Sequence, residues 1–178
     1  AYNGYLAETV YKSGSQLDAD SFGTFDSTGQ YWTPLSSNDI NSLSPTWYLD
    51  NSATTPADST SSFIDHSSTG HTITAGGNVT HSTAVTKVNA TSIKFDGSGD
   101  HLKWAQSGHA DFTLGTGDWC IEGWFYRIAH SGTSNYSYLI DFRYSGNNTD
   151  RPAIYMATNN NIQFGINGTK INSSTDPA

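Results

Sequence analysis

From residue 92 onward, apolar residues return at every second position in short runs separated by Gly, Asp, Asn and Ser. SIKF, HLKW, WCIEGWFYR and YSYLIDFRY carry this alternation, starting at residues 92, 101, 119 and 136. A period of two is that of a half-buried β-strand, because successive side chains leave opposite faces of the pleat. No stretch holds the helical period over a comparable length. Residues 14–25, GSQLDADSFGTF, come nearest, with Leu17, Phe22 and Phe25 marking one short turn. A chain of this pattern buries its core between sheets, which predicts an all-β sandwich or barrel.

Further strands are predicted over Tyr2–Tyr11, Gln30–Thr33 and Thr46–Leu49. Another follows a turn at Ser67–Gly70 within Ile64–Thr74. PLSSNDINSLSP (34–45) reads as a polar connector, and residues 50–62 as a loop without an apolar anchor. WCIEGWFYR places Trp119, Ile121, Gly123 and Phe125 on one face. Cys120, Glu122, Trp124 and Tyr126 lie on the other. Both sets are largely apolar, which predicts a central strand covered on both sides. Ala153–Ala157 and Ile162–Ile166 should pair through the Asn-rich loop 158–161. In SIKFDGSGDHLKW (92–104), the segment Asp96 to Asp100 reads as the turn of a hairpin. Its glycines tolerate positive φ, and its aspartates can bond to nearby backbone.

Only 13% of the 178 residues are charged, and the net charge is −8. That balance argues against nucleic acid as a partner, since phosphate contacts need Lys and Arg. No apolar run is long enough to span a membrane as a helix. A surface made polar by Ser, Thr, Asn and Gly is common in extracellular, viral and adhesin-like β proteins. Cys120 is the one cysteine; it reads as a buried free thiol, and no disulfide within the chain is possible. Six Asn-X-Ser/Thr triplets begin at Asn78, Asn89, Asn135, Asn147, Asn167 and Asn172.

The six histidines show no paired zinc spacing and read as solvated surface groups. Gly115-Thr116-Gly117 lacks the lysine and helix of a phosphate loop. Aromatic residues make up 13% of the chain, and most belong in the core. Tyr136, Tyr138, Tyr144 and Asn147 are the candidates for sugar recognition, because a ring face beside an amide suits stacking plus hydrogen bonding.

These runs together resemble the laminin-G-like branch of the concanavalin A-like lectin/glucanase superfamily. Phe95 to Leu102 is similar to its Phe-Asp-Gly-x-x-Asp-x-Leu hairpin, Phe112 to Asp118 to its Phe-x-x-Gly-Thr-Gly-Asp loop, and Cys120 to Tyr126 to its x-Ile-Glu-x-Trp-x-Tyr strand. Asp65 to Thr72, DHSSTGHT, resembles a preceding loop, with Ser68-Thr69-Gly70 departing from the pattern. The likeness covers about residues 63–170 and implies a jelly-roll sandwich of two antiparallel sheets. Residues 2–34 resemble the last strand and tail of such a unit, of the kind repeated in large bacteriophage virion proteins. The expected organisation is therefore residues 1–46 as the closing strand and tail of a preceding unit. Residues 47–178 form a jelly roll lacking its last strands. The alternative has residues 2–11 filling the closing-strand position of the same domain.

The resemblance implies a non-enzymatic virion surface or tail-fibre module. Its partners would be other virion subunits or copies of itself, with glycans on a host surface as a ligand. A secreted or cell-surface lectin-like adhesion domain is the alternative, and a glycan hydrolase a further one. Glucanases of the superfamily carry Glu-x-Asp-x-x-Glu on one strand. Here Glu8 and Glu122 are the only glutamates, in separate segments. Glu122 reads as a strand carboxylate bonded to a neighbour. Calcium is the implied cofactor, since related modules often bind it at one rim. Asp96, Asp100, Asp111 and Asp118 fall in loops that could share that rim, and a purely turn-forming role for Asp96 and Asp100 is the competing reading.

Overall fold

The computed structural model describes residues 2–51, 59, 61–87, 89–104, 110–112, 114, 116–130, 136–143, 152–158, 161–166 and 169–172. Among the described residues the fold is all-β in character, with one short α-helix and 3-10 turns at Ala19–Ser21 and Ala110–Phe112. In order it runs β1 (Tyr2–Ser13), β2 (Gly23–Phe25), β3 (Trp32–Pro34), α1 (Ser37–Ser42), β4 (Trp47–Leu49), β5 (Ile73–Gly76) and β6 (Thr80–Ser82). Then come β7 (Ser92–Asp96), β8 (His101–Trp104), β9 (Trp119–His130), β10 (Tyr136–Asp141), β11 (Ala153–Ala157), β12 (Ile162–Ile166) and β13 (Thr169–Asn172).

β1 is the axis of the larger sheet. One edge pairs antiparallel with β9 from Tyr2↔His130 to Ser13↔Trp119. The other edge is shared by β7, against residues 3–6, and β4, against residues 9–11, with β6 beyond β7. The strand thus ties residues on both sides of position 46 into one ladder. YNGYLAETVYKS suits that place because most of its side chains are buried, on both faces of the strand.

One face of this sheet carries Tyr2, Ile93, Phe95 and Leu49, with Leu6 and Phe125 packed against them. Tyr11 and Trp47 continue it, joined by Trp119 and Ile121. The opposite face carries Val10, Tyr48 and Cys120, covered by Leu17, Phe22, Leu35, Ile40 and Leu43. Residues 34–45, expected to be irregular, contain α1. Ser36 accepts from the Asp39 backbone N–H at 3.3 Å and donates to the Asp39 carboxylate at 2.6 Å. Ser36 is thus the N-cap of α1, which the polar reading of residues 34–45 passed over. The buried side of α1 is Ile40.

Two expectations about strands are corrected. β9 was read as central and doubly covered, yet its described pairing is with β1 alone. Tyr126 and Ile128 are 57% and 52% exposed. The cap formed by residues 17–43 reaches Cys120 at the near end of the strand and leaves the far end open. The second correction concerns residues 92–104. β7 and β8 do not pair with each other: β7 lies between β1 and β6, whereas β8 pairs with β5. The turn reverses the chain as its Gly and Asp content requires, and the apolar sets on either side then choose partners in different sheets.

β10, β11, β12 and β13 form a four-stranded antiparallel meander. β11 and β12 pair through the loop at 158–161, as their spacing predicts. The inner face of the meander packs on the larger sheet. Phe164 stacks on Trp119 at 5.5 Å, and Phe142 meets Tyr11 edge-on at 5.5 Å.

Candidate functional site

The register of the meander gathers a polar and aromatic set on the face turned away from β1 and β9. Tyr138 lies opposite Tyr155, Tyr155 opposite Gln163, and Gln163 opposite Asn172. Directly opposed residues share a face, so these four form one row. Tyr136 precedes Tyr138 by two positions and joins them. A bulge between Tyr138 and Ile140 turns Ile140 towards the core and Asp141 to the outer face.

Tyr155 is the buried floor of this face, with its ring 4.8 Å from Tyr136 and 5.3 Å from Tyr138. A Cβ on Gly165 would come within 2.9 Å of the Tyr155 hydroxyl oxygen, so glycine is what lets the ring lie across β12. Arg143 stacks 4.5 Å above the Tyr138 ring and donates twice to Asp141, at 2.8 and 2.6 Å. Lys170 sits 4.7 Å over the Tyr136 ring and donates to its hydroxyl at 2.8 Å. Gln163 Oε1 is buried and has no hydrogen-bond partner among the described residues.

Of the sugar-recognition candidates, Tyr136 and Tyr138 come together here, and Tyr144 and Asn147 lie outside the described residues. Tyr155, Lys170 and Arg143 were missed. AIYMA is apolar throughout, so its alternation is silent, and TKIN is too short to declare itself as a strand. The arrangement offers ring faces, amides and cations along one sheet, which is chemistry for a polyhydroxylated ligand.

The four aspartates considered for calcium occupy three different settings. Asp100 accepts the Asn78 N–H at 2.7 Å and the Asp96 N–H at 2.8 Å, tying the β5–β6 turn to the β7–β8 turn. Asp96 accepts the Ser98 N–H at 2.7 Å. Asp111 meets His71 Nε2 at 3.0 Å, and the carbonyl of Asp118 accepts the Gly14 N–H at 2.8 Å. Among the described residues, no three His, Cys, Asp or Glu side chains are grouped to hold a metal ion.

Two histidines expected at the surface are buried, His71 and His81. His71 Nδ1 lies 2.6 Å from Asp65, and Asp65 also accepts the backbone N–H groups of Tyr48, Ser67 and His71. His81 stacks on Phe63 and bonds the Ser62 carbonyl; burial pushes its pKa down.

A second polar cluster lies beneath the cap of residues 17–43. Glu8 sits at a bulge in β1 with φ of 48°, a left-handed conformation that glycine usually takes. Its carboxyl accepts from the Tyr48 hydroxyl and the Asn89 side-chain amide. Burial pushes that carboxyl up to about 7, the Tyr48 hydrogen bond opposing and the nearby Asp50 charge adding. Glu122, opposite Val10, is likewise raised to about 7, first by burial and then by Glu8. The Asn89 amide nitrogen that would carry a glycan is the one that donates to Glu8. No family model matches the chain, and no curated protein or solved structure is significantly similar to it.

Proposed function

We propose that the chain is a non-enzymatic, glycan-binding jelly-roll module of laminin-G-like type, belonging to a virion surface or tail protein. The observation that carries the binding reading is the outer face of the meander. Tyr136, Tyr138, Gln163, Asn172 and Lys170 share that face, while Ile140, Met156 and Phe164 pack behind it and Ile171 of β13 is exposed. A sheet that only had to fold would not need the aromatic, amide and cation set on its solvent side. The virion setting and the jelly-roll topology are carried by the sequence resemblance of residues 2–34 and 63–170.

The non-enzymatic reading draws on the acids. Glycoside hydrolysis needs two carboxyl groups flanking the scissile bond. Glu8 is 6% exposed and its oxygens are taken by Tyr48 and Asn89. Buried to that degree, it offers a polysaccharide chain no approach.

Shallow sites of this kind bind weakly, on the order of millimolar to tens of micromolar per module, and gain from multivalency. A multimerised chain on a glycan array is expected to bind at least one glycan, and Tyr138→Ala to remove that binding. An array blank for the wild-type multimer would refute the binding role.

A further inference from the structure

We propose that the outer face of the meander selects acidic glycans that carry isolated carboxylates, with one sugar carboxylate seated on Lys170. This inference rests on the glycan-binding reading and adds the ligand class. The chain has only 8 Lys and Arg against 16 Asp and Glu, yet two of those cations stand on this one face. The acid described there, Asp141, is already held by both nitrogens of the Arg143 fork. Lys170 is exposed, and among the described residues no carboxylate lies within ion-pair distance of it. Its ammonium is held in place by the Tyr136 hydroxyl at 2.8 Å, with the ring beneath. A fixed cation with no described carboxylate beside it, on an otherwise acidic molecule, concentrates attraction for anions at one point.

The number of available charges sets the ligand class. Asp141 takes the Nε/Nη2 edge of Arg143 and neutralises its charge, so the N–H groups that remain can bond sugar hydroxyls but add no net attraction for an anion. Lys170 is a point charge and suits one anionic group. A densely sulfated chain needs a row of cations, and the remaining net charge of the molecule repels it. Asn172 stands in the neighbouring row, exposed, and can bond the hydroxyls that flank the acidic group.

The test uses the full chain as a multimer against three probes: an oligouronate, its carboxyl-reduced neutral counterpart and a polysulfated oligosaccharide, each at low and high salt. The oligouronate is expected to bind best, with a preference over the neutral counterpart of roughly fivefold or less per module, the size of an exposed ion pair, and larger on the multimer. High salt should shrink that preference. Lys170→Met should bring oligouronate binding to the level of the neutral counterpart measured on the same variant, and Tyr136→Phe, which keeps the ring but frees the ammonium, should reduce the preference. Equal binding of the uronate and its reduced counterpart overturns the inference while the glycan-binding reading stands. Strongest binding by the polysulfated probe also overturns it, and no binding by any probe removes both.

Discussion

The sheet around β1 and the meander β10–β13 are built in opposite ways. In the first, partners are distant in sequence: Ser13 pairs with Trp119, and Tyr2 with His130. Its polar groups are turned inward, with Glu8, Asp65 and His71 all buried. In the meander, each strand pairs with the next in the chain, and Tyr136, Tyr138, Lys170 and Asn172 are turned to the outer face. Buried, interlocked polar groups make a region intolerant of substitution, because removing one partner strands the others without solvent. Outward groups on a locally paired sheet can change with little effect on folding. Stability therefore resides in the β1 sheet, and the recognition proposed above falls to the meander.

The largest expected effect is at Asp65. Its carboxylate accepts from three backbone N–H groups and from His71 Nδ1. Asp65→Ala leaves those donors without acceptors and should lower stability by about 4 kcal/mol, the upper end for a broken buried network. Denaturant unfolding measures it. A loss under about 1 kcal/mol would show that the inward groups do not anchor the larger sheet.

Next in size is a pH effect with a defined sign. Glu8 and Glu122 are both raised to about 7 in the folded chain, so the folded state holds their protons where the unfolded state has released them. Their contribution to stability is full below about pH 4.5 and is lost as pH rises through 7, on the order of 3 kcal/mol for each group. Glu122→Gln removes one of the two raised acids. The variant should gain on the wild type as pH climbs from 5 to 8, followed by thermal melting. Parallel curves for the two proteins would mean that the acids are solvated.

This contrast explains what could be read from the residues. The alternation located most strands, and the β11–β12 hairpin followed from two runs and an Asn-rich loop, because adjacent pairing is a local property. The partners of β7 and β8 did not follow: their apolar faces fix which way side chains point, and the choice between β1, β5 and β6 is made by distant residues. The same holds for Glu8 and Glu122, which are far apart in the chain and meet only through the β1–β9 ladder. Tyr136 and Tyr138 were visible as an i, i+2 pair, but Tyr155 and Lys170 join them through register alone. His71 was misread because DHSSTGHT looks polar. Asp65 gathers that loop around its own carboxylate and so takes His71 inside.

A smaller effect is expected at the turn. Asp100 accepts two backbone N–H groups near the surface. Water can replace it, so Asp100→Ala should lower stability by roughly 1 kcal/mol. If calcium instead organises these loops, chelator should lower the melting temperature of the wild type and leave Asp100→Ala unchanged. A melting temperature indifferent to calcium and chelator would assign Asp100 to the turn.

The smallest stability effect is expected where the functional effect is greatest. Tyr138 is 38% exposed and touches Tyr155 and Arg143 across the outer face of the meander. Truncation to Ala removes one tilted ring contact and a stacked guanidinium, both at the surface. Arg143 keeps its bond to Asp141, so no buried charge is stranded. Tyr138→Ala should therefore lower stability by less than about 1 kcal/mol while glycan binding by the multimer disappears. Tyr155→Ala serves as the opposing case. It empties the floor of the same face, leaves Gly165 facing a gap, and should lower stability by about 3 kcal/mol as a buried aromatic does. Denaturant unfolding and array binding on the two variants separate ligand contact from packing. If Tyr138→Ala unfolds as readily as Tyr155→Ala, the outer face is part of the stabilising structure, and the division between the two sheets fails.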